Sequence, residues 1–127
     1  MAEKRKNATK LRPVEGQVQQ LAVLGEMTGL LQRVRANKSK RTAAVLSKTG
    51  PFRISVLALD QGGQLEDHAL EGPFTVQCLL GRVVLSIGGR EHRLTTGDVL
   101  VADAAMPQDI AAEEASVLLL TVAVAEA

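Results

Sequence analysis

Apolar residues change their spacing once along this chain, near residue 42. Ahead of that point, in "GQVQQLAVLGEMTGLLQRVRA" (16–36), they fall at Val18, Leu21, Leu24, Met27, Leu30, Leu31 and Val34. Steps of three and four place them on one stripe of a helix, so 15–41 is read as an N-terminal helical segment. Gly25 and Gly29 weaken that helix and leave a split into two short ones open. Arg33 and Arg35 suit the negative end of the helix dipole. "NKSKR" (37–41) reads as the exit loop. Residues 1–14, rich in Lys and Arg and holding Pro13, read as a basic flexible arm.

Beyond residue 42 the apolar residues come in short runs. "TAAVLSK", "FRISVLAL", "FTVQCLL", "RVVLSI", "REHRL", "VLVA", "DIAAE" and "SVLLLTVAV" read as strands. Turn signals separate several of them, such as "TGP" and "TTGD". Gly88-Gly89 predicts a two-residue hairpin turn between 82–87 and 90–94. "DQGGQLEDH" (60–68) reads as a loop. Short strands at close, even spacing predict an all-β sandwich or barrel over 42–127.

Composition narrows the function. The 127 residues suffice for one domain and one core. The 46% apolar content fits a folded chain. With no Trp, no Tyr and only Phe52 and Phe74, the core must be aliphatic. The same lack argues against reading bases or sugars by aromatic stacking. Cys78 is alone, which rules out an internal disulfide and fits a reducing, cytoplasmic setting. The apolar runs "LAVLG" and "VLLLTVAVA" are too short to cross a bilayer, so no membrane role is expected.

Charge is uneven. Residues 1–53 carry twelve Lys or Arg against three Glu, a net +9. Residues 54–127 carry three Arg against eleven acidic residues, a net −8. Such polarity can attract phosphates. It is read instead as a solvated tail with complementary packing of the two halves. Without aromatics or a binding motif, a nucleic-acid partner is not expected.

Candidate chemistry is sparse. Cys78 sits mid-strand among apolar residues, where a thiol is usually inert. No G-x-S-x-G elbow, P-loop or dinucleotide fingerprint occurs. "QGGQ" and "IGGR" are glycine turns, and neither opens a helix. His92 lies in the charged run Arg90–Arg93, which predicts an exposed strand face. His68 is the remaining candidate, and a metal site there needs two or three further ligands.

The order of segments 62–110 resembles the cupin superfamily, a small β-barrel fold. Gly62 or Gly63 matches the opening glycine of the first cupin motif and Gly81 its closing one. Gly97-Asp98 and "AAMPQ" match the start and the turn of the second. The "LLGRVVLSIGGREHRLTTGDVLVAD" stretch is very close to what cupins show between the motifs. The likeness covers roughly 42–124, about two thirds of the chain. It implies a cupin-like barrel (double-stranded β-helix, or jelly roll) of the small RmlC-like kind, preceded by a short helix. The ligand positions of the family fall on His68, Leu70, Phe74 and Gln108. Leu and Phe cannot coordinate a metal and Gln is a weak donor, so the motifs are degenerate and no cofactor is expected.

If Phe74 points inward, alternation sends Val76, Cys78 and Leu80 inward too. The expected ligand pocket is therefore His68, Leu70, Phe74, Val76, Cys78, Met106 and Gln108. That is an apolar cup with two polar groups, suited to a small, partly apolar ligand. The alternatives are a cup filled by its own side chains, a metal-independent enzyme with His68 as general acid or base, and weak metal binding through His68 and Gln108. Outward apolar residues such as Leu79 need cover from the helix or from a second copy. The resemblance favours a homodimer.

Overall fold

The computed structural model describes residues 16–125. The basic arm expected over 1–14 lies outside them. Helix α1 spans Val23–Arg35. Nine strands follow: β1 (Arg41–Ser47), β2 (Phe52–Leu59), β3 (Gln64–His68), β4 (Phe74–Leu80), β5 (Arg82–Ile87), β6 (Arg90–Thr95), β7 (Val99–Ala102), β8 (Gln108–Ala112) and β9 (Ser116–Ala123).

The helix is shorter than its apolar stripe. It buries Leu30 and Val34, with Val23, Met27 and Leu31 packed partly beside them. Val18 is fully exposed and Leu24 largely so. The segment before Val23 is held elsewhere: the Gln19 side-chain carbonyl accepts from the hydroxyls of Ser47 and Thr49. That tie draws residues near 19 toward the β1–β2 turn instead of into a helical turn. The helix runs unbroken through Gly25 and Gly29. Each glycine costs about 1 kcal/mol relative to Ala, and tertiary packing of the apolar face offsets it.

All pairings are antiparallel. One sheet has the order β1-β2-β9-β4-β7 and the other β3-β8-β5-β6. Period-2 alternation sends one set of side chains between the sheets. That set includes Leu57, Leu59, Val76, Cys78, Val83, Leu85, Ile110, Leu118 and Leu120, all buried in one aliphatic cluster. The opposite face of the five-stranded sheet would expose Val56, Ala58, Val117, Leu79 and Leu119. Helix α1 covers these through Leu30 and Val34, so Leu79 finds its cover within the chain. The β5–β6 hairpin turns on Gly88 and Gly89, both at positive φ, as its sequence predicts.

Three expectations need correction. Residues 64–68, read as loop, form β3. An edge strand pairs on one side only, and here only Leu65 packs on the core, which gives too little alternation to see. Leu80 does not follow Cys78 inward but is 39% exposed. The β4–β9 register shifts between Cys78 and Leu80, which ends the alternation. Gly81 follows at φ +100°, and a Cβ there would collide with the Ser116 hydroxyl and the Ala115 carbonyl. Finally, the basic and acidic halves do not pair through ions among the described residues. Arg93 bridges Glu91 and Glu113, all in the acidic half. Lys40 and Arg41 donate to the backbone carbonyls of Gln61 and Gln64 instead.

Candidate functional site

His68 reaches the interior because β3 carries an extra residue. Leu65 pairs with Ile110 and His68 with Gln108, three steps on β3 against two on β8. Without the extra residue, Asp67 would take the inward place and His68 would face solvent. The bulge is marked by Asp67 at φ +53°, a conformation uncommon outside glycine but tolerated by Asp. The Asp67 amide donates to Asp109 Oδ1 at 2.6 Å, a charge-assisted bond that fixes the bend.

The result is a polar pair at one end of the barrel. Gln108 sits between His68 on β3 and Ile87 on β5. It is 1% exposed, while His68 is half-buried. Nδ1 of His68 and both Nε2 and Oε1 of Gln108 are buried without a hydrogen-bond partner. Native proteins rarely leave such atoms unpaired, because each unmade bond costs about 1–3 kcal/mol. Burial also pushes the His68 pKa below its ordinary value near 6.5, since desolvation penalises the imidazolium. At neutral pH the pair is therefore uncharged, with amide and imidazole groups that can donate and accept.

The other expected pocket residues divide into floor and flanks. Phe74, Val76 and Cys78 are 2%, 0% and 0% exposed and belong to the sealed core cluster. They close the floor rather than line open space. Burial raises the Cys78 thiol, whose Sγ lies within reach of the Leu80 and Gly81 carbonyls, so it stays protonated and inert. Leu70 and Met106 are half-buried on the same cluster. Leu70 lines a cleft of about 290 Å³ with Val45, Lys48, Arg53, Ser55 and Glu71. Met106 lines a different cleft of about 690 Å³ between β6 and β7.

His92 is exposed, as its charged neighbours suggest, but its direction is not the expected one. It pairs with Leu85 and so lies in a row of inward-facing side chains at the open edge of the barrel. The signal was present in the sequence. Arg90, His92 and Leu94 share one face by alternation, and Leu94 is apolar and buried.

The metal implied by the cupin resemblance can be tested on the donors present. Among the described residues no group of three or more His, Cys, Asp or Glu side chains could hold a metal ion. At the family's ligand positions stand one imidazole, one amide, one Leu and one Phe. Two such donors do not make a first shell for a transition metal. The residues do not fit the group.

No family model and no curated protein sequence matches the chain. Many solved structures do match it. A conserved protein of unknown function from Streptococcus pyogenes is 27% identical, with a TM-score of 0.64 over 72% of this chain and 80% of that one. A cupin superfamily protein from Desulfitobacterium hafniense is 19% identical, with a TM-score of 0.66 over 76% and 88%. An RmlC-like cupin from Desulfovibrio desulfuricans is 22% identical, with a TM-score of 0.62 over 68% and 85%. Strand order, paired sheets and these neighbours agree, and this chain has the fold of the cupins.

Proposed function

We propose that this small cupin binds a small, partly apolar ligand at the mouth of its barrel without a metal. The observation that carries the reading is the set of three buried, unpartnered polar atoms on His68 and Gln108. A neutral ligand group that both donates and accepts, such as an amide or a hydroxyl, satisfies them. Its apolar body rests on Leu70, the half-buried side chain beside the sealed floor. Because the pair is uncharged at neutral pH, it has no Coulombic preference for ions.

The test is thermal shift with hexanamide, benzamide and 1-hexanol, on the wild type and on Gln108→Leu. Binding to the native state raises stability. Stabilisation by at least one probe that Gln108→Leu abolishes supports the reading. If none of the three moves the wild-type transition, the reading fails.

An enzyme that uses His68 as a general base is the second reading. The lowered pKa leaves the imidazole unprotonated near neutral pH, as a base requires. Nδ1 has no carboxylate to orient it, which counts against this reading. Pairing of two copies belongs to the same proposal. Val99 and Val101 lie 52% and 71% exposed on the edge strand β7, where a second subunit would cover them. Light scattering that gives the monomer mass at high concentration would remove that part alone.

A further inference from the structure

We propose a second binding site, in the cleft between β6 and β7, for a small monocarboxylate with an apolar body. It is independent of the His68–Gln108 reading. The strand register is the first ground. On β6, Arg90 pairs with Ile87 and His92 with Leu85, both buried partners. Period-2 geometry therefore turns Arg90 and His92 to the interior side, where the next residue in the row, Leu94, is buried. Arg90 and His92 themselves are exposed at the open edge of the sheet, so they are accessible to a ligand from solvent.

The cleft supplies room. Its volume is about 690 Å³, and Ile87, Leu100 and Met106 make its apolar wall. Arg90, His92 and Asp103 are its polar rim. That mixture of apolar wall and few convergent polar groups is the usual make-up of a small-molecule site. The Met106 methyl lies against Gly88, where an added Cβ would stand 3.5 Å away. The wall is thus packed on the hairpin turn rather than left loose.

Charge selects the class of ligand. The other faces of β6 and the loop after β8 settle their charges internally, since Arg93 bridges Glu91 and Glu113 at 3.8 Å. Among the described residues the Arg90 guanidinium enters no ion pair. Its planar fork matches a carboxylate in a bidentate manner. His92 adds a ring nitrogen beside it on the same face. Asp103 on the opposite rim disfavours dianions such as phosphate, and accepts from any hydroxyl or amine that the ligand carries. One carboxylate on an aliphatic or aromatic body fits all three groups.

Benzoate and hexanoate are the probes, titrated at neutral pH and low salt into the wild type, Arg90→Gln, Arg93→Gln and Gln108→Leu. Isothermal titration gives the affinity, and amide shifts in ¹⁵N spectra give the place. Saturable binding of at least one probe is expected, with the largest shifts in residues 87–92 and 100–106. Loss of a charged bidentate contact in Arg90→Gln weakens it about tenfold or more. The outer-face variant Arg93→Gln and the barrel variant Gln108→Leu bind as the wild type does. Absence of saturable binding up to about 10 mM, a range covering even weak sites, overturns the proposal. So does equal affinity in Arg90→Gln. Loss in Gln108→Leu alone would place the carboxylate at the barrel mouth and overturn it as well.

Discussion

Gln108→Leu should make this protein more stable. Most substitutions at a fully buried position do the opposite. Gln108 is 1% exposed, and its amide nitrogen and oxygen both lack a partner. Each buried group left unpaired costs about 1–3 kcal/mol by mutational measure. Leucine is close in size, carries no polar atom, and faces Ile87 and the aliphatic cluster beside it. Allowing for imperfect packing of the new side chain, the expected gain is about 2 kcal/mol. For a chain of 127 residues that raises the melting temperature by about 7 °C. Urea denaturation followed by far-ultraviolet circular dichroism measures it, as a higher midpoint at unchanged slope. A loss of about 1 kcal/mol or more would refute the reasoning, because it would mean that the amide is satisfied in the native protein. The proposed ligand site predicts the accompanying defect: the stabler variant no longer responds to amide or alcohol probes. Stability given up at a site for the sake of binding is a common trade.

The remaining predictions concern the elements that build the site. The folded pKa of His68 is depressed, so the unfolded chain takes up its proton first as pH falls. Its contribution is complete above about pH 6.5 and is lost below it. The drop in urea midpoint between pH 7.5 and 5.5 should shrink in His68→Leu, and an unchanged drop would deny that this residue titrates in the fold. Asp109→Ala removes the acceptor that holds Asp67 and should cost about 1 kcal/mol. Asp109→Asn keeps an oxygen in place and should recover most of it, while equal losses would show that the bond does not matter. Leu30→Ala opens a cavity under the helix where the side chain is fully buried, and should cost about 2–5 kcal/mol. A cost below about 1 kcal/mol in equilibrium denaturation would show that α1 does not seal the sheet.

Much of the barrel was legible because the residues that form it obey one simple period. Phe74, Val76 and Cys78 alternate with Thr75 and Gln77, and the structure buries the first set in the core. Gly88 and Gly89 permit the positive φ that a tight hairpin demands, so that turn could be located to the residue. The misreadings arise where a second influence overrides the local pattern. Leu24 belongs to the apolar stripe, but the sheet beneath α1 takes Val23 and Met27 instead. Strand β3 is polar apart from Leu65, and its pairing with β8 is a non-local fact. The candidate site was half visible. His68 and Gln108 could be named as remaining polar positions of a cupin framework. Their burial without partners could not be named, since it depends on how three strands meet. Arg90 and His92 were hidden by their neighbours: read as one charged run, they conceal two faces.

The extra residue in β3 bears on how motifs are counted. Strand pairing fixes which Cα stands opposite Gln108, but the number of residues between Gly63 and that Cα is free to change by one. Removing Glu66 or Asp67 would yield a regular strand with the same imidazole still opposite the same amide. Insertion and deletion at this point are thus nearly silent for the interior, while they shift every spacing measured along the sequence. A pattern written as a fixed count of residues from glycine to histidine will mistake such a chain for one that has lost its histidine, or credit one whose histidine faces water.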